Sequence, residues 1–196
     1  VYWDSKSQQF YPLKKGMTYY SRVKKNGETE KYNSAKKVYS GTIGYTQNVG
    51  GFGKIFNDKE PCRMMTWNKN HLKEWKQSIP YFQRLSDLFK KLVPDRYKVQ
   101  LNAANSVLYK IPGTCFTTVT VNKNFRTALH QDTNDLKEGF GILTCFGKFK
   151  GGLLFIPQYN VAVDLQEGDF LAFDVHQWHC NTPIKIKGVG EERISL

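Results

Sequence analysis

The sequence predicts a mainly β fold, a sandwich or jelly roll buttressed by one or two helices. Three observations predict it. Beyond Val99 the chain breaks into short runs rich in β-branched and aromatic residues, punctuated by Gly139, Gly147, Gly151-Gly152, Gly168 and Gly188. Only one stretch, His71 to Leu92, keeps a helical apolar period. With 40% apolar and 14% aromatic residues in 196, the chain can build a sizeable core and is not a disordered segment.

Residues 1–60, rich in Lys, Tyr, Gly and Asn, read as loops and short strands, with strand candidates at Lys37 to Tyr39 and Thr42 to Tyr45 and a glycine cluster at Gly50, Gly51 and Gly53. From His71 onward Leu72, Trp75, Ile79, Phe82, Leu85, Leu88, Phe89 and Leu92 recur at helical spacing. Pro80 interrupts that run, because proline removes a ladder donor and clashes with the preceding turn, so two helices are expected, near 70–78 and 80–92, ending before Pro94. Strands are then expected at Val99 to Tyr109, Cys115 to Val121, Phe140 to Phe149, Leu153 to Ile156, Val161 to Leu165 and Asp169 to Val175. No repeat or low-complexity segment is present.

Charge divides the chain more sharply than composition does. Of 29 Lys+Arg and 17 Asp+Glu, residues 1–98 hold 20 and 8, net +12, and residues 99–196 hold 9 and 9, net zero. A neutral, core-like half joined to a basic half suggests a reaction centre in 99–196 and a polyanion-facing surface in 1–98, within a single catalytic domain spanning 1–196. A merely solubilising lysine surface is the plain alternative, and Lys73, Lys76, Lys90 and Lys91 fall off the apolar stripe as a solvated face would. No apolar run approaches the roughly 18 residues of a membrane span, so no membrane partner is expected. Val1 begins a polar stretch with neither initiator Met nor signal-peptide character, as in a trimmed or processed chain. Cys62, Cys115, Cys145 and Cys180 form no Cys-x-x-Cys pair and read as reduced, buried thiols of an intracellular protein.

Three clusters carry chemistry. In His130-Gln131-Asp132, alternate residues of extended chain place an imidazole and a carboxylate on one side. A hydrogen-bonded His–Asp pair without metal is its ordinary reading. The second cluster, Asp174-Val175-His176-Gln177-Trp178-His179, adds a further histidine from far along the chain, which gives the two-histidine, one-carboxylate set of non-haem Fe(II) oxygenases. Zinc on His176, His179 and Cys180 competes, but the fourth ligand and paired spacing are missing. In the third cluster, Arg193-Ile194-Ser195, a guanidinium and a hydroxyl face one side and suit a carboxylate; Arg193 pairs either with a protein acid or with a dicarboxylic co-substrate.

The ordered set His130-x-Asp132, His179, Arg193-x-Ser195, with Gly151-Gly152-Leu153-Leu154-Phe155-Ile156-Pro157 and Gly168-Asp169 between, resembles the double-stranded β-helix family of Fe(II)/2-oxoglutarate dioxygenases over roughly residues 99–196. His179-Cys180-Asn181-Thr182-Pro183, Arg193-Ile194-Ser195-Leu196 and the acid in His130-Gln131-Asp132-Thr133-Asn134-Asp135 resemble its TET/JBP branch, which oxidises the 5-methyl group of pyrimidines in DNA.

The resemblance implies a cupin-like core, Fe(II) on His130, Asp132 and His179, 2-oxoglutarate on Arg193 and Ser195, with Arg126 assisting, and O2 as oxidant. Ascorbate could replace 2-oxoglutarate. It implies that Asp135 meets the pyrimidine edge, with His176 as a spare group near substrate and a rival for the third ligand position; the spacing to Arg193 favours His179. Asn102 and Asn105 have amides suited to reading a base, although turn asparagines would look the same. The expected partner is DNA held by the basic half, the expected state a monomer, and the expected location the nucleus or wherever the target DNA resides. In relatives the strand beyond the arginine supplies groups that bind the flipped base, and here the sequence stops at Leu196, so that role passes to another segment or to sequence beyond it. A peptidyl or small-molecule hydroxylase of the same superfamily and a catalytically inactive modified-base reader are the competing functions.

Overall fold

The computed structural model describes residues 39–46, 62–186 and 190–196 in full, together with the backbone of Gln47 and of four short strands before residue 39. In chain order those four are β1 (Tyr2–Asp4), β2 (Gln9–Tyr11), β3 (Arg22–Val23) and β4 (Thr29–Glu30). Next come β5 (Tyr39–Gln47), β6 (Cys62–Met64), α1 (Thr66–Asn70), α2 (Leu72–Leu92) and α3 (Pro94–Asn105). The remaining strands are β7 (Thr118–Lys123), β8 (Gly141–Phe146), β9 (Lys150–Gly151), β10 (Leu154–Ile156), β11 (Val161–Val163), β12 (Phe170–Phe173), β13 (Cys180–Asn181), β14 (Ile184–Lys185) and β15 (Ile194–Ser195). The glycine cluster at 50–53 and Gly188 lie outside the described residues. No described helix is long and apolar enough to cross a membrane, and the four cysteines are free thiols.

The chain forms two compact units, one of residues 1–40, 122–137 and 143–196, the other of residues 41–121 and 138–142. In the first, β15 pairs antiparallel with β7 on one side (Ser195 opposite Asn122) and β8 on the other (Ser195 opposite Cys145), and β12 flanks β8. A second sheet places β10 between β11 and β13, and β9 pairs with β14. Cys145, Leu154 and Leu165 are buried together, with Leu143, Phe149, Ile156, Val163, Leu171 and Phe173 packed against them. Side chains of both sheets thus share one core, the jelly-roll arrangement that short alternating strands favour.

The second unit is built on α2. Trp75, Phe82, Leu85, Ser86 and Phe89 form its buried face, with Phe89 fully enclosed and Ile43, Ala104, Ile111 and Cys115 completing the core. The expected break at Pro80 is absent: α2 runs unbroken through it. Pro80 and Lys76, whose carbonyl loses its donor, are both exposed, so water serves that carbonyl while apolar burial on either side holds the helix. The expected strand at Val99 to Tyr109 is also wrong. Those residues continue from Pro94 as α3 to Asn105, because Pro94 occupies the first turn, where its missing amide costs nothing. Gly44 of β5 is required by its surroundings: its φ is +98° and an added Cβ would stand 2.5 Å from the Thr117 carbonyl oxygen. Its amide donates to the buried Asn68 side chain at 3.0 Å.

Candidate metal centre

All the charged candidates of the second half fall within the first unit. His130 and His179 come together through a pair of reciprocal backbone bonds, each amide donating to the other's carbonyl at 3.0 Å. That bridge sets their ring centroids 4.3 Å apart. Asp132, whose amide donates to the Val175 carbonyl at 3.0 Å, brings Oδ1 to 3.4 Å from His130 Nε2 and Oδ2 to 3.8 Å from His179 Nε2. One ligand atom from each of the three lies within 4.8 Å of the others.

The tautomers suit a metal. His130 Nδ1 lies 2.8 Å from the Ala128 carbonyl and His179 Nδ1 2.8 Å from the Gln177 carbonyl. A carbonyl only accepts, so each Nδ1 carries a proton and each neutral ring keeps its Nε2 lone pair for the shared point. Phe173 packs edge-on to the His179 ring at 5.3 Å. Burial pushes the pKa of His179 down, helped by the charge of neighbouring His130. At His130 burial also pulls down, but the Asp132 carboxylate and the Ala128 carbonyl outweigh it, and the pKa rises. Asp132 resists the upward pull of burial because the histidines surround it, and its carboxyl falls below the ordinary range. The donor set of two imidazoles and a carboxylate matches Fe(II) or another divalent ion of similar preference.

Arg193, in the loop entering β15, is 1% exposed. Its guanidinium donates to Ser195 Oγ at 3.0 Å and lies over the Phe149 ring, 5.5 Å from the centroid. Its Nε has no hydrogen-bond partner, and among the described residues no carboxylate pairs with it. A buried cation in that state is costly unless an anion arrives. Burial lowers its pKa, with the Cys145 thiol beside it acting in the other direction. Asn124, at φ +53°, holds the Arg193 backbone from both sides: its side-chain oxygen accepts the Arg193 amide and its amide donates to the Arg193 carbonyl, each at 2.8 Å. Gly152 stands close enough that a Cβ there would meet Arg193 Cδ and Nε at 3.2 Å.

The other candidates fare differently. Arg126 is half-buried and its Nε donates to the Asn181 carbonyl at 3.0 Å, an anchor for β13. Asp135 closes the turn that begins at Asp132 and is exposed, yet its carboxyl is pushed up, first by desolvation and then by the charge on Asp132. His176 is not in the ligand cluster; its ring nitrogens face Asp174 and the Asp135 carbonyl instead. In the second unit Asn105 closes α3 and accepts from Lys110 Nζ, the local bonding of a turn asparagine; Asn102 accepts the Ser106 amide through its backbone carbonyl. Sequence reasoning missed Asn124, Phe149 and Asn181. Asn181 is buried, accepts from Thr127 at 2.7 Å and donates to the Gly152 carbonyl at 3.2 Å. Its place between Cys180 and Thr182-Pro183 is visible in the sequence, but a buried amide has no sequence signal of its own.

The Tet_JBP family model, described as the oxygenase domain of the 2OGFeDO superfamily, matches residues 52–196. Thymine dioxygenase JBP1 of Trypanosoma brucei brucei is 37% identical over 127 residues, 64% of this chain and 15% of that protein. The bifunctional helicase and thymine dioxygenase JBP2 of Leishmania infantum is 35% identical over 150 residues, 76% of this chain and 14% of that protein. The chain therefore spans about one seventh of the length of these curated relatives. The solved structure of NgTET1 in complex with 5mC DNA aligns with a TM-score of 0.59 at 20% identity, covering 80% of this chain and 58% of that one, a likeness of fold.

Proposed function

Given that the chain belongs to the TET/JBP family of oxygenases, we propose that it oxidises the 5-methyl group of a pyrimidine flipped out of DNA, with thymine preferred. The single observation carrying this reading is the ligand cluster itself, with both Nδ1 atoms held on carbonyls and one ligand atom from each of the three residues within 4.8 Å of the others. The thymine preference is drawn from the names of the relatives, at 35–37% identity.

An oxygenase of this superfamily runs on Fe(II), 2-oxoglutarate and O2. His130, Asp132 and His179 would hold the metal, and the metal with its co-substrate supplies the oxidant for a methyl C–H bond. Arg193 fits the distal carboxylate: its unpartnered Nε and the Ser195 hydroxyl lie in an apolar surround where a charge-assisted bond is strong. Phe149 backs the guanidinium and keeps water from it. Arg126 acts at one remove, by anchoring Asn181. Asp135, at the exposed end of the Asp132 turn, would hydrogen-bond the pyrimidine edge. Ascorbate in place of 2-oxoglutarate would leave Arg193 without a dicarboxylate partner.

Extrusion of the base costs about a few kcal/mol. Phosphate contacts from exposed lysines, among them Lys73, Lys76, Lys90 and Lys91 of α2, would offset it. We read residues 1–196 as one catalytic domain, its basic half at 1–98, acting as a monomer wherever its target DNA resides.

The test is nucleoside mass spectrometry after incubation of thymine- and 5-methylcytosine-containing duplexes with the protein, Fe(II) and 2-oxoglutarate. Hydroxymethylated product on either duplex is expected, more on thymine. Turnover of a peptide with none on DNA would overturn the reading, and modified-base binding without any turnover would make the chain a reader.

A further inference from the structure

His176 stands outside the ligand cluster, yet both its ring nitrogens face acceptors, an arrangement that the imidazolium, with a proton on each nitrogen, satisfies in full. Nδ1 lies 3.0 Å from Asp174 Oδ1, and Nε2 lies 3.3 Å from the backbone carbonyl oxygen of Asp135. The Asp174 carboxylate also accepts the His176 amide at 3.1 Å and, through Oδ2, the Gln177 side-chain amide at 2.8 Å. The Gln177 carbonyl is the group that fixes Nδ1 of His179. One run of hydrogen bonds therefore joins the Asp135 peptide to a ligand histidine.

The same two turns are held independently of the imidazole. The Asp132 amide donates to the Val175 carbonyl at 3.0 Å, and the Gln131 side-chain amide donates to the His176 carbonyl. Asp132 thus keeps its place without the His176 ring. Within the turn itself, the Asp135 amide donates to the Asp132 carbonyl at 3.3 Å, and Asp135 is exposed. The His176 ring adds a second contact to the backbone of the same residue from outside the turn, at the same length.

We propose that His176, oriented by Asp174, is a positioning residue for the substrate: by holding the Asp135 carbonyl it aims the Asp135 carboxyl at the pyrimidine edge. This rests on the reading that Asp135 meets the base. It assigns the pair of bonds on the His176 ring to substrate selection and leaves metal binding to the other three residues.

Two amide substitutions separate the two bonds. Glutamine places an N–H donor near the position of Nε2 and keeps the bond to the Asp135 carbonyl; asparagine reaches only the position of Nδ1. Steady-state kinetics on thymine and 5-methylcytosine oligonucleotides, with Mn(II) affinity measured by electron paramagnetic resonance, compares wild type with His176→Ala, His176→Gln and His176→Asn. Mn(II) affinity should stay within about twofold throughout. His176→Ala and His176→Asn should raise KM for the oligonucleotide about tenfold and flatten the preference between the two bases, with kcat changed less. His176→Gln should restore most of both. Loss of Mn(II) binding in His176→Ala would overturn the proposal, as would unchanged KM and base preference, or equal failure of the glutamine and asparagine variants. If the wild type turns over neither oligonucleotide, the reading of function falls first; if it is active and His176→Ala matches it, only the positioning role falls.

Discussion

His130 and His179 exchange both of their backbone hydrogen bonds at 3.0 Å, so two segments far apart in sequence deliver their imidazoles as one unit. Removal of either ring, or of the Asp132 carboxylate, leaves a two-donor site. His130→Ala, Asp132→Ala and His179→Ala should each weaken Mn(II) binding by about 100-fold or more and abolish oxidation, with duplex affinity nearly unchanged. Oxidation surviving in all three, by mass spectrometry, would show that the metal lies elsewhere.

Arg193 is buried with an unsatisfied Nε. In Arg193→Met the shape is roughly kept and the unpaired charge removed, so the free protein should melt no lower than wild type, and higher if desolvation dominates. With Mn(II) present, 2-oxoglutarate should raise the melting temperature of the wild type and not of the variant. A dose-dependent shift of equal size in both would remove Arg193 from the co-substrate site.

The pH dependence of metal capture follows from His130. Its folded pKa lies above the ordinary 6.5, so in the metal-free protein the protonated ring contributes stability that is present below the unfolded pKa and is lost as pH rises through the folded one. The metal needs the neutral ring, so the proton competes. Mn(II) affinity should fall as pH drops, beginning above 6.5, with proton release on binding. An affinity flat from about pH 6 to 8 by calorimetry would contradict this.

Gly44→Ala tests a backbone position. A φ of +98° and a Cβ 2.5 Å from the Thr117 carbonyl oxygen combine strain with a clash. Urea denaturation should show a loss of about 1–3 kcal/mol. A loss below about 0.5 kcal/mol would mean that β5 shifts freely there.

Combined replacement of Lys73, Lys76, Lys90 and Lys91 by Ala should weaken duplex binding about equally for different sequences and flatten its salt dependence, by roughly 0.9 for each phosphate no longer neutralised. An unaltered slope would assign phosphate binding to other basic residues.

The metal donors and the strand-rich second half are legible in the sequence because both leave local traces: His130-x-Asp132 needs only alternation, and strands such as Leu154–Ile156 and Phe170–Phe173 lie between turn residues. Sequence and structure part where context overrides a local rule. Pro80 is tolerated because its gap faces water, and the apolar run after Val99 belongs to α3, whose first residue, Pro94, reads in the sequence only as a stop. Asn124 and Asn181 act through bonds to Arg193, Thr127 and Gly152, pairings that exist only once the chain is folded. His176 and His179 are told apart by the groups around each ring, which spacing alone does not reveal.

Strand β15 is synthesised after both of the strands it separates. Until Ile194 and Ser195 emerge, β7 and β8 each present an unpaired edge at residues 122–123 and 145–146, the kind of surface through which nascent chains stick to one another. Arg193 arrives with the same segment. Closure of the sheet and delivery of the buried guanidinium are thus one event: until residues 193–195 pair, a chain that already carries its three metal donors keeps two open strand edges and lacks the cation of its anion site.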